Sequence, residues 1–228
     1  MATVEAARPS GIQRWAGLGG ILYVALFIGG SALAFSGAPT GDERPSKYVS
    51  YYGSSGHRDR ISAGWALVVL GVLFFIWFLS RLRQVVRRID ADGFMTTLVT
   101  VGGSVYATLT LAGISVWTAI ATMSDDTYHH QIYPGIIHAG SDAGYVLHAS
   151  GGIAAGTMII GASLAARRAA LIPAWAGTVG IVFGVLGFFS IFFFPQALIA
   201  IWILVAAWLL FRAPRPAAGA PPPPARPA

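Results

Sequence analysis

The chain has 228 residues, of which 55% are hydrophobic and only 11% charged, with a net charge of +6 and no cysteine. Soluble domains carry about 25% charged residues, so an ordinary soluble globule is excluded. A disulfide-stapled domain, a thiolate metal site and a cysteine nucleophile are excluded as well, and a mean hydropathy of +0.66 leaves the multispanning membrane class.

A helix needs about 20 apolar residues to cross a hydrocarbon core of roughly 30 Å, and six segments qualify. The first, about Leu18 to Phe35, follows Arg8 and Arg14. Its small-residue end, Ala32-Leu33-Ala34, also fits a cleaved signal peptide, although the apolar run exceeds the usual 7 to 15 residues. Between spans one and two, Tyr48, Tyr51 and Tyr52, with Trp65 following, predict an amphipathic segment resting at headgroup level.

Span two, about Ser62 to Leu82, runs on into Arg81, Arg83, Arg87 and Arg88 interleaved with Leu82, Val85, Val86 and Ile89. That pattern predicts a helix overrunning the membrane, its arginines anchoring the inner face. Span three covers about Thr96 to Ala121 and span four about Gly144 to Ala166. The stretch from about Leu171 to Phe211 would make about 60 Å of helix, so it is read as two passes, 171–193 and 196–211. Phe194-Pro195-Gln196 is the expected turn, because proline resists continuing a preceding helix. Residues 213–228, with Pro221 to Pro224, read as a disordered Pro/Ala-rich tail.

Fourteen arginines accompany a single lysine, a composition typical of GC-rich bacterial coding. With the N-terminus inside, the inner segments hold 11 basic residues and the outer ones only Arg44, Lys47, Arg58 and Arg60. Lys and Arg concentrate in cytoplasmic loops, so the expectation is an all-α polytopic bundle of the bacterial inner membrane, six spans, both termini cytoplasmic. The bilayer accounts for the clustered positive charge, and a nucleic-acid partner is not expected.

All nine acids fall outside the six spans, and no Walker-type loop is present. Carboxylate-driven proton antiport, voltage sensing, intramembrane aspartyl proteolysis and ATP-driven pumping therefore lack their essential groups. Histidine is the exception. His148 lies a few residues inside the outer end of span four, on the small-residue face that carries Gly152 and Gly156. A GxxxG spacing lets helices approach closely, and Gly180 and Gly184 repeat it on span five. Trp65, Trp117, Thr118 and Ser190 fall near the depth of His148, so together they outline an outward-facing cup, while the simpler role for His148 is to hold two helices together. His138 and Asp142, spaced i and i+4, could join His148 as metal donors, with Asp125, Asp126, His129 and His130 nearby in sequence. No dense metal motif such as H-E-x-x-H occurs, and no cofactor is expected.

The helix exit Trp77-Phe78-Leu79-Ser80-Arg81-Leu82-Arg83 and the entry Ala169-Ala170-Leu171-Ile172-Pro173-Ala174-Trp175-Ala176-Gly177 resemble a group of uncharacterised six-span bacterial membrane proteins common in actinobacteria, domain-of-unknown-function families with an L-I-P-x-W type entry. The resemblance implies a six-helix membrane fold and carries over no catalytic residue. The functional expectation is a non-enzymatic component: a scaffold for a membrane-protein partner or second copy, or a facilitative handler of a neutral solute. The alternative is a metal- or cofactor-binding enzyme or sensor built on the outer histidines.

Overall fold

The computed structural model describes residues 11–39, 43–125 and 133–212. Among them the chain is helical: α1 (Gly11–Phe35), α2 (Pro45–Gly53), α3 (Ser55–Ile89), α4 (Phe94–Met123), α5 (Pro134–Arg168), α6 (Ala174–Gly187), a 3-10 turn at Ser190–Phe192, and α7 (Phe194–Arg212). The tail at 213–228 and the candidates Asp126, His129 and His130 lie outside the described residues.

Five helices, α1, α3, α4, α5 and α7, are long and apolar enough to cross a bilayer, making this a membrane-embedded multi-pass chain. The segment expected as span five is shorter than anticipated. Its helix, α6, has 14 residues, about 21 Å against a core of roughly 30 Å. The chain then reverses over 188–193, through the 3-10 turn and Phe193 at φ 66°. The reversal thus precedes Pro195, which sits in the first turn of α7, where a helix does not need the missing N–H.

Glycine sets the helix spacing. On α1 and α3, a Cβ on Gly30 would stand 2.7 Å from the Gly64 carbonyl oxygen. On α4 and α5, a Cβ on Gly102 would stand 2.6 Å from the Ala154 carbonyl oxygen, and one on Gly113 2.9 Å from that of Gly144. Backbones this close gain van der Waals contact where lipid offers no hydrophobic drive for association. Around these seams Val72, Phe75, Phe78, Val99, Met158, Ile159, Ile199 and Ile203 make one buried core shared by α3, α4, α5 and α7.

α7 closes the bundle against α1: Gly17 packs on Leu210 and Phe211, and the Trp15 and Phe211 rings lie 6.0 Å apart. The start of α1 and the end of α7 therefore share one end of the bundle. The arginines at the ends of α3 and α5 gather there, since Gly177 of α6 packs on Arg167 and Arg168 borders a cleft with Asp90 and Asp92. Trp15, Trp77, Trp175 and Trp208 are exposed around this basic half, the arrangement expected of an aromatic belt at a headgroup boundary.

The opposite end differs from expectation. The α2 tyrosines Tyr48, Tyr51 and Tyr52 are buried, not laid on a lipid surface. They form a second small core with Ile61, Ile120, Ala121 and Ile137. This is possible because α3 starts at Ser55 and α5 at Pro134, seven and ten residues before the expected span boundaries, so their projecting ends give the tyrosines protein to pack on.

Candidate functional site

The middle of α5 carries Gly144, His148, Gly152 and Gly156 at intervals of four. Four residues of helix turn by about 400°, so each step drifts about 40° around the axis, and the four positions face different neighbours in succession. Gly144 receives the Trp117 indole of α4, to which an added Cβ would come within 2.9 Å. His148 is buried, 7% exposed, and stacks on Phe27 of α1, ring centroids 5.4 Å apart and planes 13° from parallel. Gly152 meets the Ser190 hydroxyl and Gln196, and Gly156 meets the Gly184 carbonyl of α6.

His148 thus points inward, as the small-residue face predicts. Its ring forms no hydrogen bond with the described residues; its backbone carbonyl accepts one from Gln196 Nε2 at 3.4 Å. Ser190, also buried, donates its hydroxyl to the Gly187 carbonyl at 2.6 Å, and the Trp117 indole N–H donates to the Ser141 carbonyl at 3.2 Å. The expected cup is therefore only partly assembled. Trp117, His148 and Ser190 line successive turns of α5, whereas Thr118 donates to the Ile114 carbonyl of its own helix at 2.9 Å. Trp65 lies outside the group, exposed on α3, with its indole N–H on the Ser115 hydroxyl of α4 at 3.2 Å.

The paired glycines lie at helix contacts. Gly156 and Gly184 touch across the α5–α6 seam: an added Cβ on Gly184 would stand 2.8 Å from the Gly156 carbonyl oxygen. Gly180 packs on the Ser163 hydroxyl, which also accepts the Trp202 indole N–H at 3.3 Å.

His138, Asp142 and His148 do not converge. His138 and Asp142 do share a helix, since α5 begins at Pro134. Ten residues, about 15 Å of rise, separate His138 from His148, and the His138 ring rests on Tyr48 with centroids 4.7 Å apart. Asp142 is exposed. Among the described residues no group of three His, Cys, Asp or Glu side chains is placed to hold a metal ion.

Two polar features escaped the sequence reading. The hydroxyls of Tyr23 on α1 and Tyr106 on α4 share a 2.6 Å hydrogen bond in the buried centre, against Phe75; a tyrosine midway along an apolar span was the available signal. Gln196 ties the start of α7 to α5, and its signal was that it is the one glutamine within the six predicted spans. The tyrosine cap has titration behaviour of its own. Burial, then the neighbouring Tyr51 and Tyr48, push the Tyr52 phenol up to about 12.

Comparison with protein-family models, with curated proteins and with solved structures finds no match.

Proposed function

We propose that this protein is a non-enzymatic scaffold of the bacterial inner membrane, with six passes and both termini cytoplasmic, that holds another membrane protein against its α6 face. One observation carries the reading. The buried residues of α6 are Gly177, Gly180, Gly184 and Gly187, and its large side chains Trp175, Val179, Val182 and Val185 are turned outward. A helix whose fully buried residues are all glycines presents on its other side a ridge of valines at intervals of three, a shape that accepts a second helix by close packing. Of the buried hydroxyls, those of Tyr23, Tyr106 and Ser190 are bonded within the bundle, Tyr23 with Tyr106 and Ser190 to the Gly187 carbonyl, which favours a scaffold over a solute handler.

The sixth pass is α6 together with the Phe-rich reversal after it. Its support is that α6 departs from the arginine end and α7 returns to it. Because the chain has no cysteine, single cysteines are readily introduced to check this. Ile191→Cys, exposed in the reversal between α6 and α7, should react with an impermeant thiol reagent in intact cells, and Arg87→Cys only after lysis.

The scaffold reading is tested with a photo-crosslinking amino acid at Val182, set against the same probe at Val101, exposed on α4. A discrete protein adduct at Val182 and none at Val101 is expected. Lipid adducts alone at both sites would refute it. The metal-site alternative predicts stoichiometric metal in the detergent-purified protein, lost in His138→Ala and His148→Ala.

A further inference from the structure

Arg81 is read from the sequence as one of several topological anchors, but it is unlike the others. Arg83, Arg87 and Arg88 are exposed on α3. Arg81 is only 9% exposed, and its Nε and Nη1 are covered without any hydrogen-bond partner. Covered donors on a charged group are costly to leave unmade, and a lone buried charge is costlier than a paired one.

Nothing described at this end neutralises it. The carboxylates here are Asp90 and Asp92. Asp90 accepts the Thr96 N–H and hydroxyl, each at 2.7 Å, and Asp92 accepts the Phe94 N–H at 3.2 Å. Among the described residues the one ion pair found, Glu43 with Lys47 at 2.6 Å, is at the other end of the molecule. Arg88, two turns beyond Arg81 on the same face of α3, adds a second positive charge. The other arginines at this end have partners: Arg212 lies over the Trp208 ring, 4.3 Å from its centroid, Arg167 donates to the Thr178 hydroxyl at 3.5 Å, and Arg168 acts on the Asp90 carboxylate.

We propose that Arg81, with Arg88, forms a site for the phosphate of an anionic phospholipid in the leaflet facing the arginine end. The depth is right, because Trp77 lies one turn from Arg81 on α3 and belongs to the tryptophan belt. The chemistry is right, because a guanidinium fork matches phosphate oxygens two at a time. The reach is right too, since a long basic side chain near a helix end swings out to the headgroup layer when an anion waits there. General attraction between basic segments and an anionic leaflet is expected in any case. What the burial of Arg81 adds is a selective position that the exposed arginines do not share.

The experiment follows the thermal unfolding of the full-length protein in a neutral detergent doped with phosphatidylglycerol or with phosphatidylcholine. The wild type should be stabilised saturably by phosphatidylglycerol and not by phosphatidylcholine, and millimolar inorganic phosphate should not substitute. In Arg81→Gln, and less severely in Arg88→Gln, the phosphatidylglycerol concentration needed for half the shift should rise, by about tenfold for Arg81, while Arg83→Gln stays near wild type. Equal effects of the two lipids on the wild type would overturn the proposal, and that arm does not depend on any variant folding. So would an Arg83→Gln loss as large as that of Arg81→Gln, or a shift reproduced by inorganic phosphate.

Discussion

Replacing Gly156 with alanine adds one methyl group where α5 and α6 approach most closely. Built on the existing backbone, that carbon falls on the Gly184 carbonyl oxygen, about an ångström inside an ordinary contact of roughly 3.5 Å. A backbone carbonyl cannot swing aside as a flexible side chain can. Gly187 crowds the same spot, its own added Cβ standing 3.1 Å from the Gly156 Cα. The variant must therefore displace α6 as a unit, and overpacking of this kind costs about 1 to 3 kcal/mol. Alanine's helix-propensity advantage, about 1 kcal/mol in water, offsets little of this, because a membrane helix has its backbone bonds formed before it docks. Gly29 on α1 is the control. An added Cβ there meets nothing within 4 Å, so Gly29→Ala should stay within about 0.5 kcal/mol of wild type. The measurement is unfolding in mixed micelles of rising SDS fraction, followed by tryptophan fluorescence, to which Trp175 on α6 contributes. If Gly156→Ala unfolds where the wild type does, or if Gly29→Ala is damaged as much, then glycine contact is not what holds α6 in place.

Removing either central hydroxyl, Tyr23→Phe or Tyr106→Phe, breaks the 2.6 Å bond between α1 and α4 and should cost about 0.6 to 2 kcal/mol. The double variant should cost little more than either single one, and a mutant cycle showing simple additivity would contradict the shared bond. At the α3–α4 turn, partial burial raises the Asp90 carboxyl, but the Thr96 N–H and hydroxyl outweigh it and hold the pKa below the usual range. The stability it provides is then complete above about pH 4 and is lost as pH falls toward the lowered value. Melting temperatures across acid pH should show that loss in the wild type and not in Asp90→Asn. In the cap, Tyr52 is held up to about 12, by burial first, against about 10 in an unfolded chain. Its stabilising effect is present below about pH 10 and declines as pH rises toward the folded value. Phenolate absorbance should give Tyr52 a midpoint near 12, assigned by difference from Tyr52→Phe; a midpoint near 10 would mean that α2 does not pack on the helices beneath it.

Composition and pattern by themselves determined that this is a helical membrane protein, because a hydrocarbon core requires long apolar helices and the scarce charges fall at their ends. The inward direction of His148 and the small-residue faces carrying Gly156 and Gly184 were legible for the same reason: one face of a helix repeats every three or four residues whatever its neighbours are. Which neighbour each position meets was not legible. Trp117 and Thr118 are adjacent in sequence, yet one reaches across to α5 and the other turns back on the Ile114 carbonyl of its own helix, and only the α4–α5 approach decides between them. The tyrosines of α2 have the amphipathic spacing of a segment lying on lipid; they are buried because α3 and α5 extend past the apolar boundary and give them protein to cover. Arg81 and Arg83 carry the same charge at the same depth, and the 200° of helix between them, about 100° per residue, leaves one covered without a partner and the other in the open. A periodic pattern tells a side chain which way to face, and tertiary packing alone supplies what it finds there.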